Sequence, residues 1–360
     1  MIDLINKIFF FSKNLNERSS SFKTLKQKKA ITQLFFAIEN YSETSEIRYV
    51  GGCIRKILNN ELIDDIDFAV NLKPNECIET LNKNNIKFKE TGIDHGTITA
   101  IIDNNKFEIT SLRKDLNTDG RHAKVEFSFD WYEDASRRDF TINSIYSDIN
   151  GNLYDPFEGK KDLQIGKIEF IGDAEKRIKE DYLRILRYIR FFLNYSKLPH
   201  SDKVKKAIKQ NLHGISTISS ERLLDEFKKI INSTGFLKLF KDPFSLEIIS
   251  LIFPQFKNFE IFKKLNDFAK KKIKEVDYIF LISLMLLDNT DNVDYFHFKF
   301  NLSKVNKKRI IFLKNFNNKK INKNTFSEKN LWKILYYNGK QSLIDLIYFE
   351  IFKSKKINKK

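Results

Sequence analysis

Hydrophobic and polar residues follow two different patterns along the chain. Between about residues 47 and 171, short apolar runs alternate with turn residues, which predicts β-strands. From Ala174 onward apolar residues recur every three or four positions, a spacing typical of amphipathic helices. The pattern therefore predicts an α+β domain followed by a helical region. The predicted strands are Ile47–Val50, Ile66–Val70, Thr97–Ile102, Lys106–Leu112 and Lys124–Phe127.

Composition excludes several classes of protein. Apolar residues make up 41% of the 360, but no uninterrupted apolar run approaches the roughly 20 residues of a membrane-spanning helix. Met1–Ser12 is interpreted as part of a first helix, because small residues of a signal cleavage site do not follow its apolar cluster. The two cysteines and five scattered histidines lack the number and spacing of ligands that a zinc centre built by the protein needs. They indicate a reduced, cytoplasmic location.

Positive charge is concentrated at the carboxyl end. The sequence has 64 Lys and Arg against 47 Asp and Glu, and residues 301–360 hold 16 of the former and 3 of the latter, a net +13 of the total +17. Such a segment suits binding to a phosphate backbone. The alternative is a compositional bias towards lysine, so charge alone leaves nucleic-acid binding open.

Two glycines and two carboxylates suggest a site for a nucleotide and a metal ion. Gly51 and Gly52 follow the first predicted strand, Arg55 comes one helical turn later, and Asp65 and Asp67 occupy alternate positions of the next strand. Alternate strand residues point to the same face, so the two carboxylates converge and favour Mg²⁺. Glycine backbone N–H groups can approach a triphosphate, and arginine can neutralise it. A plain turn beside a solvated strand edge is the alternative.

Further charged groups extend this candidate site. Glu108 can face the same metal if its two neighbours point into the core, although an acid on a strand is often only solvated. Arg137, Arg138 and Asp139 are predicted to open an amphipathic helix, at whose start they can hold a phosphate or a sugar hydroxyl, or where Asp139 can serve as an N-cap.

A charged helix carries the next candidate pair. If residues 180–191 form one helix, Asp181 and Arg184 lie side by side on its surface, with Arg187 and Arg190 continuing along it. One acceptor beside one donor matches the base-pairing edges of cytosine and adenine, and mismatches those of guanine and uracil. An ordinary salt bridge between residues three apart is the alternative.

The motifs together resemble the class II CCA-adding tRNA nucleotidyltransferases, whose motifs the bacterial poly(A) polymerases share. The resemblance covers about residues 48–192 well and residues 218–231 plausibly. It is carried by Gly-Gly-x-x-Arg, Asp-x-Asp, Arg-Arg-Asp-Phe-Thr-Ile-Asn, Tyr-Asp-Pro-Phe-Glu-Gly and Glu-Asp-x-x-Arg-x-Leu-Arg-x-x-Arg-Phe. One departure is Lys56, which stands where the family commonly has Asp, and it affects a local salt bridge only.

The resemblance implies a domain order and a role for each motif residue. It implies an N-terminal helical segment (1–46) and a catalytic polymerase-β-like head with a small mixed sheet (47–172). These are followed by a helical neck that reads the nucleotide and binds RNA (173–235), and by a helical body with a basic tail that binds tRNA (236–360). The implied roles are metal binding and catalysis for Asp65 and Asp67, with Glu108 beside them, and nucleotide binding for Gly51, Gly52, Arg55, Arg138, Asp139, Glu180, Asp181, Arg184, Arg187 and Arg190. Residues 113–131 match the family's flexible loop.

The implied reaction is the addition of C, C and A to the 3′ end of tRNA, with CTP and ATP as substrates and two Mg²⁺ ions as cofactors. Poly(A) synthesis and partial addition of only CC or only A share the same motifs. A catalytically silent RNA-binding protein is the remote alternative, and the intact acidic and base-reading motifs argue against it. The sequence implies no membrane and no protein partner.

Overall fold

The computed structural model describes residues 21–117, 124–288, 290–319 and 324–354. The described residues form two compact units, one within 1–184 and 195–212 and the other within 185–194 and 213–360. The predicted helix in Met1–Ser12 and the terminal residues 355–360 lie outside the described part of the chain. The predicted division into four domains stays a prediction.

The first unit combines a mixed sheet with helices, so the predicted α+β fold is confirmed. Its helices are α1 (21–26), α2 (Lys29–Glu39), α3 (Gly52–Leu58), α4 (Pro74–Lys83), α5 (Trp131–Ser136), α6 (Gly159–Ile165), α7 (Ala174–Glu180) and α9 (Asp202–Asn211). Its strands are β1 (Ile47–Val50), β2 (Asp67–Val70), β3 (Lys87–Gly92), β4 (Thr97–Ile102), β5 (Asn105–Ser111), β6 (Arg113–Asn117), β7 (Lys124–Phe127), β8 (Tyr146–Ser147) and β9 (Leu153–Tyr154).

Seven strands form the main sheet in the order β3-β4-β5-β2-β1-β8-β9. Strands β2 and β5 are parallel, and the other neighbours are antiparallel. Alternate side chains of the central strands enter the core, where the tilted rings of Tyr49 and Phe68 pack with centroids 5.1 Å apart and Phe35 contacts both.

The expected position of Asp65 on a strand is wrong. Strand β2 begins at Asp67, the first residue that pairs with β5, whereas Asp65 lies in an exposed loop two residues earlier. Local polar contacts hold this loop, because the Asp64 carboxylate accepts a hydrogen bond from the Asp65 backbone N–H at 2.9 Å and pairs with Lys56. Lys56 thus finds an acidic partner within its own chain.

The second unit is helical, as predicted. It contains most of α8 (Arg184–Tyr195), together with α10 (Ser220–Ile231), α11 (Pro243–Ile252), α12 (Glu260–Lys263), α13 (Asp267–Lys272), α14 (Tyr278–Leu286), α15 (Asn292–Phe300), α16 (Lys304–Asn317) and α17 (Glu328–Lys353). Clustered phenylalanines fill its core, including Phe227, Phe253 and Phe256 with centroids 4.6 to 5.2 Å apart. No helix in the described part of the chain is long and apolar enough to cross a membrane.

The prediction of one continuous helix over residues 180–191 is wrong. Helix α7 ends at Glu180, Asp181 adopts an extended backbone with φ −155°, and α8 begins at Arg184. The Asp181 carboxylate accepts a hydrogen bond from the Leu183 backbone N–H at 3.1 Å, and its carbonyl accepts one from the Arg184 N–H at 2.9 Å. Asp competes for nearby backbone donors in this way, which favours a turn over a helix interior.

The amphipathic helix predicted to open at Arg137, Arg138 and Asp139 is also wrong. The structure forms only a short 3-10 turn there, Thr141–Asn143.

Candidate active site

Two carboxylates lie side by side on neighbouring central strands. Asp67 opens β2 and is paired in parallel register with Glu108 of β5. Phe107 and Ile109 are buried while Glu108 is exposed, so the expectation that Glu108 faces away from the core is confirmed. Adjacent strands lie about 4.8 Å apart, which brings these two acids close together.

The electrostatics of Asp67 show this crowding. Burial, followed by the negative charges of Glu108 and Asp65, raises the pKa of the Asp67 carboxyl to about 6, against the lowering effect of Arg138. A carboxylate that is costly to ionise between other acids gains most from a cation placed beside it. Asp65 therefore contributes to the same negative field, although it lies outside the strand.

A glycine turn brings the backbone close to an arginine. Gly51 has φ +69° and ψ −117°, a conformation that residues with a Cβ rarely adopt, and it joins β1 directly to α3. A Cβ at Gly51 would lie 3.6 Å from a terminal nitrogen of Arg138. Gly52 begins α3 and faces the guanidinium of Arg55. The turn thus places this stretch of backbone beside the Arg138 and Arg55 guanidinium groups.

Arg138 is held by a buried network. Its Nε and Nη2 donate to the Asp134 carboxylate at 3.3 and 3.0 Å, and Nε also donates to the Tyr146 hydroxyl, which itself donates to Asp134 at 2.6 Å. Burial acts to raise the pKa of the Asp134 carboxyl, but Arg137, Arg138 and Tyr146 outweigh it, so that the pKa is well below its usual range. Asp134 therefore stays ionised and fixes the direction of Arg138.

A single amide joins two of the predicted nucleotide-binding residues. The Asn143 side-chain oxygen accepts a hydrogen bond from Arg55, and its nitrogen donates to the Asp139 carboxylate at 2.8 Å. All three side chains are buried. The Arg55 guanidinium also lies over the Tyr195 ring, 5.2 Å from its centroid. Arg55 and Asp139 are thus positioned together, although they are 84 residues apart in sequence.

Glu180 organises a second cationic group. Its carboxylate binds Arg177 at 2.6 Å and also pairs with Arg184, whose guanidinium donates to the Arg177 carbonyl at 2.7 Å. Arg177 in turn donates to the backbone carbonyls of Arg137 and Arg138, which ties the end of α7 to the Arg-Arg-Asp segment. Arg184 is therefore set by Glu180 at the first residue of α8, and Asp181 lies in the preceding turn.

Comparison with known families identifies the first unit. The family model described as "Poly A polymerase head domain" matches residues 47–169, and the one described as "Probable RNA and SrmB- binding site of polymerase A" matches residues 201–260. Over these residues the chain belongs to the tRNA nucleotidyltransferase and poly(A) polymerase family. The Arg187 and Arg190 side chains fall in the second unit, where Arg190 binds the buried Glu226 at 2.5 Å.

Named relatives place the chain within this family. It is 45% identical over 206 residues to human "CCA tRNA nucleotidyltransferase 1, mitochondrial", covering 56% of this chain and 46% of that protein. It is 36% identical over 214 residues to the "CCA-adding enzyme" of Lactobacillus delbrueckii subsp. bulgaricus, covering 59% and 53%. The aligned region spans about half the length of these curated relatives.

Solved structures share the fold. The Bacillus stearothermophilus CCA-adding enzyme, crystallised with CTP, superposes with a TM-score of 0.68 at 20% identity, over 91% of this chain and 79% of that chain. The Thermotoga maritima CCA-adding enzyme, complexed with tRNA, has a TM-score of 0.66 at 20% identity, over 93% and 82%. At this identity the likeness shows a common fold.

Proteins of this family generally use divalent metal ions. Among the described residues, no group of three or more His, Cys, Asp or Glu side chains is arranged to hold a metal by itself. The raised pKa of Asp67 beside Glu108 and Asp65 nevertheless fits a cation that relieves their repulsion. The donor set therefore fits a hard cation whose remaining ligands come from phosphate oxygens and water.

Several residues that build the site were not among the sequence candidates. Asp134 and Asn143 flank the Arg-Arg-Asp motif and carry the networks around Arg138 and Arg55, and Arg177 supports Glu180. Asp134 and Asn143 were visible as the ends of the motif, whereas Tyr146 gave no signal. Each acts by holding another side chain, and that role depends on contacts that a linear sequence does not display.

Proposed function

We propose that this protein adds C, C and A to the 3′ end of tRNA, using CTP and ATP and releasing pyrophosphate. The observation that carries the proposal is the convergence, in one polymerase head, of the Asp67 and Glu108 carboxylates with the Gly51 turn and the Arg138 guanidinium. The relatives named above as CCA-adding support the choice of product.

The reaction is a displacement at the α-phosphorus of the nucleotide. The tRNA 3′-oxygen forms a bond to that phosphorus while the bond to the β-phosphate oxygen breaks, and pyrophosphate leaves with the electron pair. The 3′-hydroxyl proton departs as the new bond forms, towards the carboxylate oxygens around Asp67. Gly51 and Gly52 with Arg55 bind the triphosphate, Arg138 and Asp139 position the nucleotide and its ribose, and no covalent enzyme intermediate is required.

Asp65 and Asp67 would hold two Mg²⁺ ions, with Glu108 next to them. When bound, these ions supply charge stabilisation for the attacking and leaving oxygens. The protein's own contribution is to keep the acids on β2, β5 and the adjoining loop, and to orient the basic residues that neutralise the phosphates. Repulsion among the carboxylates of Asp65, Asp67 and Glu108 favours binding of a cation there.

Base selection rests on Asp181 and Arg184. The two residues lie in a turn and at the start of α8, so the pair is presented by a helix junction and not by one helical face. Glu180 orients Arg184, which leaves a fixed donor for the ring nitrogen of cytosine or adenine. Arg187 and Arg190, further along α8, contribute nucleotide binding.

Residues 113–131, which match the family's flexible loop, govern the change from C to A addition. Strands β6 and β7 pair in antiparallel register, with Arg113 opposite Phe127, and residues 118–123 between them lie outside the described part of the chain. Shortening the connection between these strands should leave CC addition largely intact and impair the final A, because only the switch needs this segment to move.

A poly(A) polymerase, or an enzyme adding only CC or only A, is the second candidate, because a poly(A) polymerase head model matches the same residues. The deciding experiment incubates the protein with tRNA lacking its last three nucleotides and with CTP and ATP, together and singly, and resolves products to one nucleotide. Three added nucleotides and a halt support the proposal. A continuing adenosine ladder supports poly(A) synthesis, and no extension supports the non-catalytic alternative.

We further infer a cytoplasmic location. Cys53 and Cys77 are both buried and do not form a disulfide, and burial raises the pKa of the Cys77 thiol to about 12, which keeps it protonated and unreactive. These thiols fit a reducing compartment. The human relative's name includes "mitochondrial", so fractionation with organelle markers is the relevant test: recovery with organelles would contradict the inference.

A further inference from the structure

The motif Tyr-Asp-Pro-Phe-Glu-Gly, to which the proposed function gives no role, builds and places helix α6. Its Asp155 carboxylate accepts hydrogen bonds from the backbone N–H groups of Gly159 and the next residue, at 2.8 and 2.9 Å, which the helix itself cannot pair. A Cβ at Gly159 would lie 2.0 Å from the Thr141 carbonyl oxygen, and the Thr141 hydroxyl donates to Asp162 of α6 at 2.7 Å. The start of α6 therefore packs directly against the turn Thr141–Asn143.

The other end of α6 holds the segment that follows α8. Gly166 ends α6, and a Cβ there would lie 2.5 Å from the backbone nitrogen of Lys197. The Lys197 N–H donates to the Gly166 carbonyl at 3.0 Å, and its ammonium group donates to the Gln164 carbonyl at 3.0 Å. Tyr195, the last residue of α8, comes two residues before Lys197 and belongs to the same compact unit as α6. These contacts anchor the chain next to Tyr195.

Arg55 contacts both of the segments that α6 holds. One of its terminal nitrogens donates to the Asn143 amide, and its guanidinium carbon lies over the Tyr195 ring, 5.2 Å from the centroid. A cation within about 6 Å of a ring centroid is attracted to the ring face, and more strongly where water is excluded. Arg55 is only 7% exposed, so this attraction is poorly screened. The hydrogen bond fixes one nitrogen, and the ring restrains the rest of the group.

The ring of Tyr195 and its hydroxyl have different partners. The hydroxyl donates to the carboxylate of Glu61 at 3.3 Å, away from the guanidinium. Glu61 is exposed, so this hydrogen bond competes with water and contributes little. The effect of Tyr195 on Arg55 therefore comes from the aromatic ring.

We propose that Tyr195 is a positioning residue, whose ring holds the Arg55 guanidinium in the direction of the triphosphate of the incoming nucleotide. The inference rests on the proposed function, in which Arg55 binds this triphosphate. Tyr195 lies outside every motif that carries the family resemblance. A side chain that is ordered before binding loses less conformational freedom when it contacts phosphate, so the stacked arginine binds a triphosphate more tightly. The motif that builds α6 acts indirectly, by holding both partners of Arg55.

Inhibition by inorganic pyrophosphate tests this role apart from base selection and tRNA binding, because pyrophosphate carries neither base nor ribose. In the full-length protein, Tyr195→Leu should raise the inhibition constant of pyrophosphate by about tenfold, as expected for loss of a cation–π contact shielded from water. The KM values for CTP and ATP should rise by a similar factor, with kcat and the KM for tRNA nearly unchanged. Tyr195→Phe keeps the ring and should stay within about twofold of the wild type. A folded Tyr195→Leu with the wild-type inhibition constant would overturn the proposal.

A double-mutant cycle shows whether Tyr195 acts through Arg55. Arg55→Gln removes the cation, so the ring has no charge left to position. In that background Tyr195→Leu should change the inhibition constant of pyrophosphate by less than about twofold. The same tenfold effect in both backgrounds would mean that Tyr195 acts independently of Arg55, and the proposal would fail.

Fluorination of the ring gives an answer that does not depend on the folding of Tyr195→Leu. Phenylalanine with increasing numbers of fluorine atoms, incorporated at position 195, keeps the shape of the ring and weakens the negative charge of its face. The inhibition constant of pyrophosphate should rise with each added fluorine, relative to Tyr195→Phe. An inhibition constant that is independent of fluorination would exclude a cation–π contact.

Tyr41→Leu is the matched control. Tyr41 is a partly buried tyrosine of the same unit, and its ring centroid lies 6.0 Å from the Lys83 ammonium nitrogen. Tyr41→Leu should leave pyrophosphate inhibition unchanged, and an equal rise there would contradict a specific role for Tyr195. If the wild type extends tRNA while Tyr195→Leu shows normal KM values, this proposal fails and the proposed function stands. If the wild type neither extends tRNA nor binds pyrophosphate, the proposed function fails and this inference fails with it.

Discussion

Replacing Asn143 should disable the site without touching any group that contacts substrate. The Asn143 amide accepts from Arg55 and donates to Asp139, and all three side chains are buried. Asn143→Ala removes one partner from a buried cation and one from a buried anion. Arg55 then loses the contact that directs it towards the triphosphate, and Asp139 loses the contact that directs it towards the ribose.

The magnitude follows from the two hydrogen bonds. A hydrogen bond to a charged group contributes about 1.5 to 3 kcal/mol. Because both bonds share one amide, their losses are coupled and do not simply add, and we expect a combined loss of about 3 kcal/mol. At about 1.4 kcal/mol per factor of ten, this corresponds to a fall in kcat/KM of roughly one hundredfold. The assay is single-nucleotide extension of tRNA, with thermal unfolding measured in parallel.

Asn143→Asp should produce a loss that depends on pH. The new carboxylate can accept a hydrogen bond from Arg55, but it faces the Asp139 carboxylate. Because two adjacent negative charges repel, one of the two acids acquires a raised pKa. Below that pKa a shared proton restores the bridge, and above it the two anions repel. Activity relative to the wild type should therefore fall as pH rises from about 6 to 8.5.

Ser144→Ala is the matched control. Its buried hydroxyl donates to the Thr141 carbonyl at 2.9 Å in the same turn, without contacting Arg55 or Asp139. It should cost about 1 kcal/mol of stability and leave kcat/KM nearly unchanged. Normal extension by Asn143→Ala, or an equal loss in Ser144→Ala, would refute the bridging role.

Four further predictions concern the acids and the base-reading group. Asp67→Asn should abolish transfer yet raise the melting temperature at pH 7.5 and not at pH 3.5, because the folded-state pKa of about 6 lies above the ordinary value of 3.8 and the cost of ionised Asp67 therefore builds up as pH rises from about 3.8 to about 6; a melting-temperature difference that is the same at both pH values would contradict the raised pKa. Glu108→Gln should move the acidic limb of the pH–rate profile to lower pH, because the negative charge of Glu108 helps to raise the pKa of Asp67. An acidic limb that does not move would exclude this electrostatic interaction between Glu108 and Asp67. Asp134→Asn should destabilise the fold by about 3 to 5 kcal/mol in denaturant titrations, as a buried pair is broken, and near-native stability would count against the network. Arg184→Ala should lower kcat/KM for CTP and for ATP alike, by a loss of about 1.5 to 3 kcal/mol in transition-state stabilisation, and Glu180→Gln should act in the same direction. Unchanged discrimination against UTP and GTP would show that Asp181 and Arg184 do not select the base.

The sequence by itself determined the fold class and the chemical type of the site. The spacing of apolar residues separated the α+β half from the helical half, because buried residues recur at alternate positions in strands and every three or four positions in helices. The strand at Ile47–Val50 and the outward position of Glu108 were predictable, since apolar neighbours must enter the core. Motif order pointed to nucleotidyl transfer because each motif keeps its reactive residues within a few positions of one another.

Only the tertiary structure decided how these motifs hold one another. Asp65 leaves the strand because sheet pairing begins at Asp67, and the predicted helix breaks at Asp181 because its carboxylate captures a nearby backbone N–H. The Asn143 bridge joins residues far apart in sequence. Periodicity reports which face of an element is buried, whereas hydrogen bonds between distant side chains depend on the packed arrangement of elements.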